Sequence, residues 1–485
     1  MNQKKSSNKE SFLKFSLKKE ILRAITDLGF NSPTPIQNKV IPHLMSSNQD
    51  LIASAQTGTG KTAAFGLPIL NAIDTTNSQV QTLILCPTRE LCIQIAKDLS
   101  SYSKYLKSIN ILAVYGGVKI DKHFRSLKKK PQIVVGTPGR TKDLIKRKKL
   151  IVKNVGRLIL DEADEMLSMG FKDDLEFIIN GTPKEKQTLL FSATMTPKVI
   201  TVTKKYMHNS IEIAVSKVNR ANKNVQHLYY MVQAKHRYEV IKRIADMNPD
   251  IYGIVFCRTR RETKEVANKL MNDHYNADTI HGDLTQSERD DVMGRFRKRQ
   301  LQILVATDVA ARGLDVDDLT HVINYNLPDD DEIYIHRSGR TGRAGKQGIS
   351  MVIIHGRELR KLKGIEKNSG IFFTKKNVPN GIDICKKRLY TLIDKIEKVN
   401  VNEEQIGPFL PYIYKKLNWL DREQLIQHFV SAEFNRYLSY YKNSIDINAE
   451  AYTKEKTKNR KKMRNRNKFY NPRKKHRKNR RHRKK

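Results

Sequence analysis

Cysteine is scarce in this 485-residue chain. Four occur, Cys86, Cys92, Cys257 and Cys385, and no two form a CxxC pair. That argues against a disulfide framework and a structural zinc site, and favours a reducing compartment. Aromatics are thin at 7%, with a single tryptophan. No run reaches the roughly 18 apolar residues of a membrane span, so no membrane role is expected. The opening MNQKKSSNKE is basic and no apolar core follows it; secretion is not expected, and a cytoplasmic protein is. Acidic residues are also in deficit, 50 against 91 Lys and Arg, for a net charge of +41. Residues 453–485 alone supply +18, from 19 bases and one acid, and the remaining 452 residues keep +23. Positive excess in both portions points to a polyanionic partner, nucleic acid ahead of a membrane surface.

What the chain does have is alternation. Between about 50 and 215, LIASA, TLILCPT, ILAVYGG, QIVVGTP, RLILDEAD and QTLLFSAT are apolar runs ending in polar or glycine-rich residues, separated by amphipathic stretches. Buried strands alternating with helices predict an α/β fold, a parallel sheet covered on both faces. Function in such sheets gathers at the carboxyl ends of the strands. A polar segment, VSKVNRANKN, interrupts the pattern, which restarts with YGIVFCRT, ADTIHGD, QILVATD, HVINYNLP and GISMVIIHG. The expected organisation is a disordered start at 1–10, a first α/β domain over 11–215 and a linker at 216–224. A second α/β domain over 225–370 follows, then an all-helical extension over 380–442 and a disordered basic tail over 450–485.

Three motifs carry chemistry. Ala55-Gln56-Thr57-Gly58-Thr59-Gly60-Lys61-Thr62 follows an apolar strand and opens a helical stretch. Its glycines let backbone N–H groups converge on phosphate at a helix N-terminus. Lys61 would neutralise the terminal phosphates and Thr62 would ligate Mg²⁺. Read alone, the segment also fits an ordinary glycine-rich turn. About a hundred residues on, RLIL runs into Asp161-Glu162-Ala163-Asp164. Asp161 suits a second Mg²⁺ anchor and Glu162 a base for the attacking water, although an acidic cluster after a strand is also a common helix start. The second domain carries His336-Arg337-Ser338-Gly339-Arg340-Thr341-Gly342-Arg343. His336, Arg340 and Arg343 could reach across a cleft to a γ-phosphate; the plain alternative is a basic surface loop.

Taken together and in order, these motifs resemble the DEAD-box helicases of superfamily two over roughly residues 12–355, with Ser192-Ala193-Thr194 as a further match. Gly29 to Gln37 resembles that family's Q motif, with Phe12 as its upstream aromatic. The resemblance implies two tandem RecA-like domains that close on ATP and RNA. It implies that Gln37 reads the adenine edge, that Phe30 stacks on the ring, and that Gly313 and Asp315 lie near the nucleotide. Ser192 and Thr194 are implied to hydrogen-bond Asp164 and couple the ATP site to RNA. Pro87, Thr88, Arg89, Gly116, Gly117, Thr137, Pro138, Gly139 and Arg140 match RNA-facing motifs in the first domain. Arg258, Gly282, Thr307 and Asp308 do so in the second. Hydroxyls, glycine N–H groups and arginines suit sequence-independent backbone recognition.

The expected activity is RNA-stimulated ATP hydrolysis that separates short RNA duplexes locally and remodels RNA–protein complexes. Ribosome assembly, mRNA decay and cold adaptation, with ribosomal or RNA-decay proteins as partners, are compatible settings. A DNA helicase and an inactive RNA clamp are the competing readings. Segment 380–442 either dimerises, as its resemblance to the extensions of some bacterial family members implies, or packs on the second domain. Its aromatics Phe409, Tyr412, Trp419, Phe429, Phe434 and Tyr437 are expected in a core. Phe469 and Tyr470, set among Lys and Arg, suit loose RNA binding by the tail; a solvated basic tail that serves solubility or targeting is the plain alternative.

Overall fold

The computed structural model describes residues 11–55, 58–214, 224–311, 316, 319–342, 346–442 and 444–449. The expectations for 1–10, for the linker at 216–224 save Asn224, and for the tail at 450–485 lie outside them, as do Gln56, Thr57, Gly313, Asp315 and Arg343.

Among the described residues the chain builds two seven-stranded sheets. The first comprises β1 (Leu51–Ser54), β2 (Thr82–Leu85), β3 (Ile111–Val114), β4 (Ile133–Gly136), β5 (Arg157–Asp161), β6 (Gln187–Ser192) and β7 (Ile211–Ala214). Their order is β3-β4-β2-β5-β6-β1-β7, and every pairing is parallel. The second comprises β8 (Val225–Met231), β9 (Gly253–Cys257), β10 (Ala277–Ile280), β11 (Ile303–Thr307), β12 (His321–Asn324), β13 (Gly348–Ile354) and β14 (Thr374–Lys376). It runs β10-β11-β9-β12-β13-β8-β14, again all parallel.

The apolar runs form strands because both sheet faces are buried. Successive side chains point to opposite faces, so Ile84, Ile133, Val135, Ile159, Leu189 and Phe191 pack into one core of the first sheet. Leu83, Leu85, Val134, Leu158, Leu160 and Leu190 pack into the other. Phe191 meets Phe65, from the helix Lys61–Ala72, with ring centroids 5.2 Å apart. Truncating so deeply buried an aromatic to alanine costs about 3–5 kcal/mol.

Strand order sorts the motifs. β1, β6 and β5 are neighbours, so the phosphate-loop lysine, Ser192-Ala-Thr194 and Asp161–Asp164 emerge side by side. β3, β4 and β2 form the other half of the sheet, and their carboxyl ends carry Gly116-Gly117, Thr137–Arg140 and Pro87–Arg89. In the second sheet, neighbouring β10, β11 and β9 end in His281-Gly282-Asp283, Thr307-Asp308 and Arg258-Thr259.

The helical extension lies against the second sheet's unit. Helices Gly381–Glu397 and Arg422–Tyr441 pack together and against the helix Arg237–Met247. Asp246, buried at the end of that last helix, accepts from the Tyr275 hydroxyl at 2.6 Å, the Tyr441 hydroxyl at 2.5 Å and the Arg388 guanidinium at 3.0 Å. A Cβ on Gly381 would lie 2.8 Å from the Tyr441 Cβ, so only glycine admits so close an approach. The chain then returns to the sheet: Ile447 enters its core and Asn448 bridges Val232.

The aromatics of the extension correct an expectation. Phe434 is buried and Tyr437 half-buried, but Phe409, Tyr412, Trp419 and Phe429 are exposed. The short helices over 403–417 pack mainly on each other, which leaves their apolar faces uncovered.

Candidate functional site

The ATP-type motifs meet at the carboxyl ends of β1, β6 and β5. The turn from β1 passes through Gly58 and Gly60, both at positive φ (77° and 87°), where glycine is the low-strain choice. A Cβ on Gly60 would sit 2.5 Å from the Gln37 side-chain nitrogen. Lys61 opens the helix Lys61–Ala72; its ammonium donates to the Ala55 carbonyl at 3.4 Å and lies 3.8 Å from the Asp161 carboxylate. Thr62 follows it, half-buried, in the first turn. Lys61 and Asp161 are both nearly sealed from solvent, so each charge is balanced chiefly by the other.

Glu162 sits beside this pair in left-handed backbone, φ 52° and ψ 51°, at the start of the helix Ala163–Ser168. A non-glycine residue there costs roughly 1–2 kcal/mol, strain of the kind that concentrates at functional positions. Burial raises the Asp161 carboxyl above the ordinary range, and Lys61 opposes the rise. Burial raises Glu162 as well, with Lys61 and then Arg340 from the second unit pulling it back. A carboxylate lifted in this way is the stronger base toward water.

Asp164 accepts from the Thr194 N–H at 2.9 Å and the Thr194 hydroxyl at 2.7 Å. Ser192 departs from expectation: its hydroxyl donates to the Thr194 carbonyl at 2.6 Å. Two residues from Thr194 at the end of β6, and fully buried, it braces the turn that presents Thr194 to Asp164.

The Q-motif residues pack as a unit. Thr34 and Gln37 form a capping box, and the Gln37 amide donates to the Gly60 carbonyl at 3.1 Å. The side chain expected to read adenine therefore ties the helix Pro35–Ser46 to the phosphate turn. Phe12 and Phe30 lie 6.0 Å apart, and Phe30 meets Tyr102 at 5.9 Å.

The second unit faces this site through the helix Asp331–Ser338. His336 Nδ1 contacts the Glu165 carboxylate, and its Nε2 lies 3.8 Å from Asp164. Burial disfavours the imidazolium, but the hydrogen bond and charge of Glu165, with Asp164 and Glu162 behind it, hold its pKa above the ordinary value. Arg340 lines the same cleft with Glu165 and His336. Arg337 is spent inside its own unit, on Asp308 at 2.5 and 2.7 Å and on Asn324 at 2.9 Å. Asp308, expected to face RNA, is thereby engaged as a carboxylate paired with Arg337.

The RNA-type residues form a second constellation. Thr88 caps the helix Arg89–Tyr102 through the Leu91 N–H, after buried Pro87. Thr137 and Pro138 open the helix Pro138–Lys146, with Gly139 in its first turn. Gly116 and Gly117 are exposed at the end of β3, as is Gly282 beyond β10. Arg89 stacks 4.7 Å over the Tyr115 ring and pairs with Asp290 of the second unit at 3.2 Å. Arg140 donates to the Val118 carbonyl at 3.0 Å and meets His123 at 3.1 Å. Arg258 reaches the Leu327 carbonyl and Asp329, while Thr307 ends β11 almost fully buried.

Three contact residues between the units escaped sequence reasoning: Glu165, Arg289 and Asp290. Glu90 and Arg289 lie 3.6 Å apart beside the Arg89–Asp290 pair. In sequence each belongs to an ordinary charged helix face. Only Glu165 carried a usable signal, its place directly after Asp164.

Two α/β units that deliver a glycine-bearing turn and acidic tetrad from one side, and His336 and Arg340 at the end of a helix from the other, define a two-domain nucleotide-dependent enzyme with tandem RecA-like folds. Comparison with known proteins agrees. Residues 34–202 match the DEAD/DEAH box helicase family, 236–345 the helicase conserved C-terminal domain, and 384–442 the helical domain of probable ATP-dependent RNA helicases. The ATP-dependent RNA helicase CshA of Listeria monocytogenes is 42% identical over 410 residues, 84% of this chain and 78% of that protein. Among solved structures, Saccharomyces cerevisiae Dbp5 bound to RNA and ADP–BeF3 superposes with a TM-score of 0.70 at 29% identity, covering 78% of this chain and all of that one. Mss116p bound to single-stranded RNA and AMP-PNP gives 0.69 at 29% identity, covering 90% and 93%. The chain belongs to the DEAD-box RNA helicases and is an ATP-dependent enzyme of that family.

Proposed function

We propose that this protein binds ATP between its two RecA-like units, hydrolyses it in response to RNA, and uses the closed state to hold one bent RNA strand and so separate short duplexes without processive movement. The observation that carries this reading is the juxtaposition, across one cleft, of Lys61, Asp161 and Glu162 with His336 and Arg340. Lys61 neutralises the phosphates, Glu162 takes the proton of the attacking water, and Arg340 stabilises charge on the transferred phosphoryl group. Thr194 and Ser192 tie Asp164, at the end of β5 beside the RNA-type half of the sheet, to the end of β6. The strand ends bearing Arg89, Gly117, Thr137, Arg258 and Gly282 offer N–H groups, hydroxyls and arginines to an RNA backbone.

Mg²⁺ suits this site. No cluster of three potential ligands occurs among the described residues; Asp161 and the Thr62 hydroxyl would hold an ion completed by phosphate oxygens and water, the coordination Mg²⁺ favours. Bound there, it would neutralise charge on the phosphates. The cytoplasm is the setting we infer; no helix among the described residues is long and apolar enough to cross a membrane. The exposed apolar face of the extension supports a homodimer through 380–442.

The test compares ATP turnover with no nucleic acid, single-stranded RNA and single-stranded DNA of one length. RNA is expected to stimulate many-fold and DNA little. Glu162→Gln should lower stimulated turnover by at least about 100-fold, the scale of a lost general base. Equal stimulation by DNA, or a fully active Glu162→Gln, would sink the reading.

A further inference from the structure

Between the two glycine-bearing strand ends of the first unit lies a buried histidine that the site residues above leave unused. His123 sits in the helix Ile120–Leu127 and is 4% exposed. Its Nδ1 meets the Arg140 guanidinium at 3.1 Å, and its Nε2 lies 3.4 Å from the Tyr115 backbone nitrogen. The Tyr115 ring stands edge-on to the imidazole at 5.6 Å, with Arg89 on the same ring at 4.7 Å. The other Arg140 nitrogen holds the Val118 carbonyl, just past Gly117.

Both neighbours of the imidazole are donors. A neutral imidazole has one lone pair and one N–H, so it can accept from Arg140 or from Tyr115 but not from both at once. The contact to Arg140 is shorter and its donor is cationic, which makes it the stronger bond. Burial and the Arg140 charge together hold the His123 pKa below the ordinary imidazole value. The ring therefore stays neutral and keeps its lone pair.

We infer that His123 is a positioning residue for RNA: its single lone pair fixes Arg140, and through the Arg140 bond to the Val118 carbonyl and the edge-on packing of the Tyr115 ring it sets the Gly116-Gly117 turn and Arg89 relative to the Thr137–Arg140 helix start. The inference rests on the proposed RNA-gripping role of those segments. His123 touches neither nucleotide nor RNA. Its removal frees Arg140 to swing and loosens the turn, which lowers RNA affinity and leaves the ATP site alone. The function needs an uncharged acceptor at this place and does not need ionisation of the ring.

The experiment titrates single-stranded RNA against ATP turnover for the full chain, His123→Ala and His123→Gln, with thermal melting to check folding. Wild-type protein must first show RNA stimulation; if it does not, the functional reading fails and this inference falls with it. Given stimulation, His123→Ala should raise the RNA concentration for half-maximal turnover on the order of tenfold, the effect of one lost charge-assisted bond. Its KM for ATP, its turnover at saturating RNA and its RNA-free turnover should be unchanged. His123→Gln, with a neutral amide acceptor, should recover most of the affinity. An unchanged RNA half-saturation in a folded His123→Ala overturns the inference and leaves the functional reading standing. So does a His123→Gln as weak as His123→Ala, because acceptor chemistry would then not matter. Should His123→Ala fail to fold, His123→Gln against His123→Leu decides by the same readout: equal RNA half-saturation overturns the inference, and a weaker Leu variant supports it.

Discussion

Several single residues owe their behaviour to burial more than to type. His227 and His321 sit inside the second unit, and burial pushes both imidazoles down to about 4. His227 Nδ1 is also bound to the Tyr334 hydroxyl at 2.6 Å. The folded state thus prefers the neutral ring, while the unfolded chain protonates near the ordinary value of 6.5. Stability from this source is whole above about pH 6.5 and is lost as pH falls from there toward 4. The full loss is on the order of 3 kcal/mol per histidine. Denaturant unfolding between pH 7.5 and 4.5 should show a steep decline that His227→Gln makes shallower; a flat profile would contradict the assignment. Neither histidine was legible in the sequence, because each lies in an apolar strand whose two buried faces only the sheet order reveals. Lys61, Asp161, Glu162 and Arg340 were legible, because each lies in a short motif whose chemistry is local.

At the scale of elements, the strands were readable and their partners were not. Runs such as TLIL and QIVVG declare buried parallel strands through length and β-branching. Their order in the sheet, which sets the ATP-type edge beside β1 and the RNA-type edge beside β3, follows from packing at long range. The arginines show the same limit: Arg89, Arg140 and Arg337 look interchangeable in sequence, yet they bind Asp290, His123 and Asp308. The extension splits the expectations made for it. Asp246, Tyr441 and Arg388 pin it to the second unit, as a back-packed module requires. Its outer face still exposes Tyr412 at 71% and Trp419 at 70%. Large apolar side chains exposed in such number suit an interaction surface. If a second copy covers it, sedimentation at micromolar concentration will report twice the chain mass, and Tyr412→Asp with Phe429→Asp will return a monomer. A wild-type chain that stays monomeric throughout would remove the dimer from the account.

For the whole molecule, the proposed function makes catalysis a property of the closed pair and of neither unit alone. Among the described residues, two sets of contacts join the units, Glu165 and Asp164 with His336 at the ATP-type side, and Arg89 and Glu90 with Asp290 and Arg289 at the RNA-type side. Asp290 and Glu90 each occupy an arginine that a phosphate could also engage, so on the proposed reading RNA entering this cleft would exchange one anion for another. The measurement that tests the central claim most directly is ATP turnover at saturating RNA for Arg340→Ala beside wild type, with ATP affinity measured separately. Loss of an arginine that acts across the cleft should lower stimulated turnover by about 10³-fold or more while nucleotide affinity changes little. Stimulated turnover that survives Arg340→Ala would mean that the first unit hydrolyses ATP without the second, and the two-unit account would be wrong.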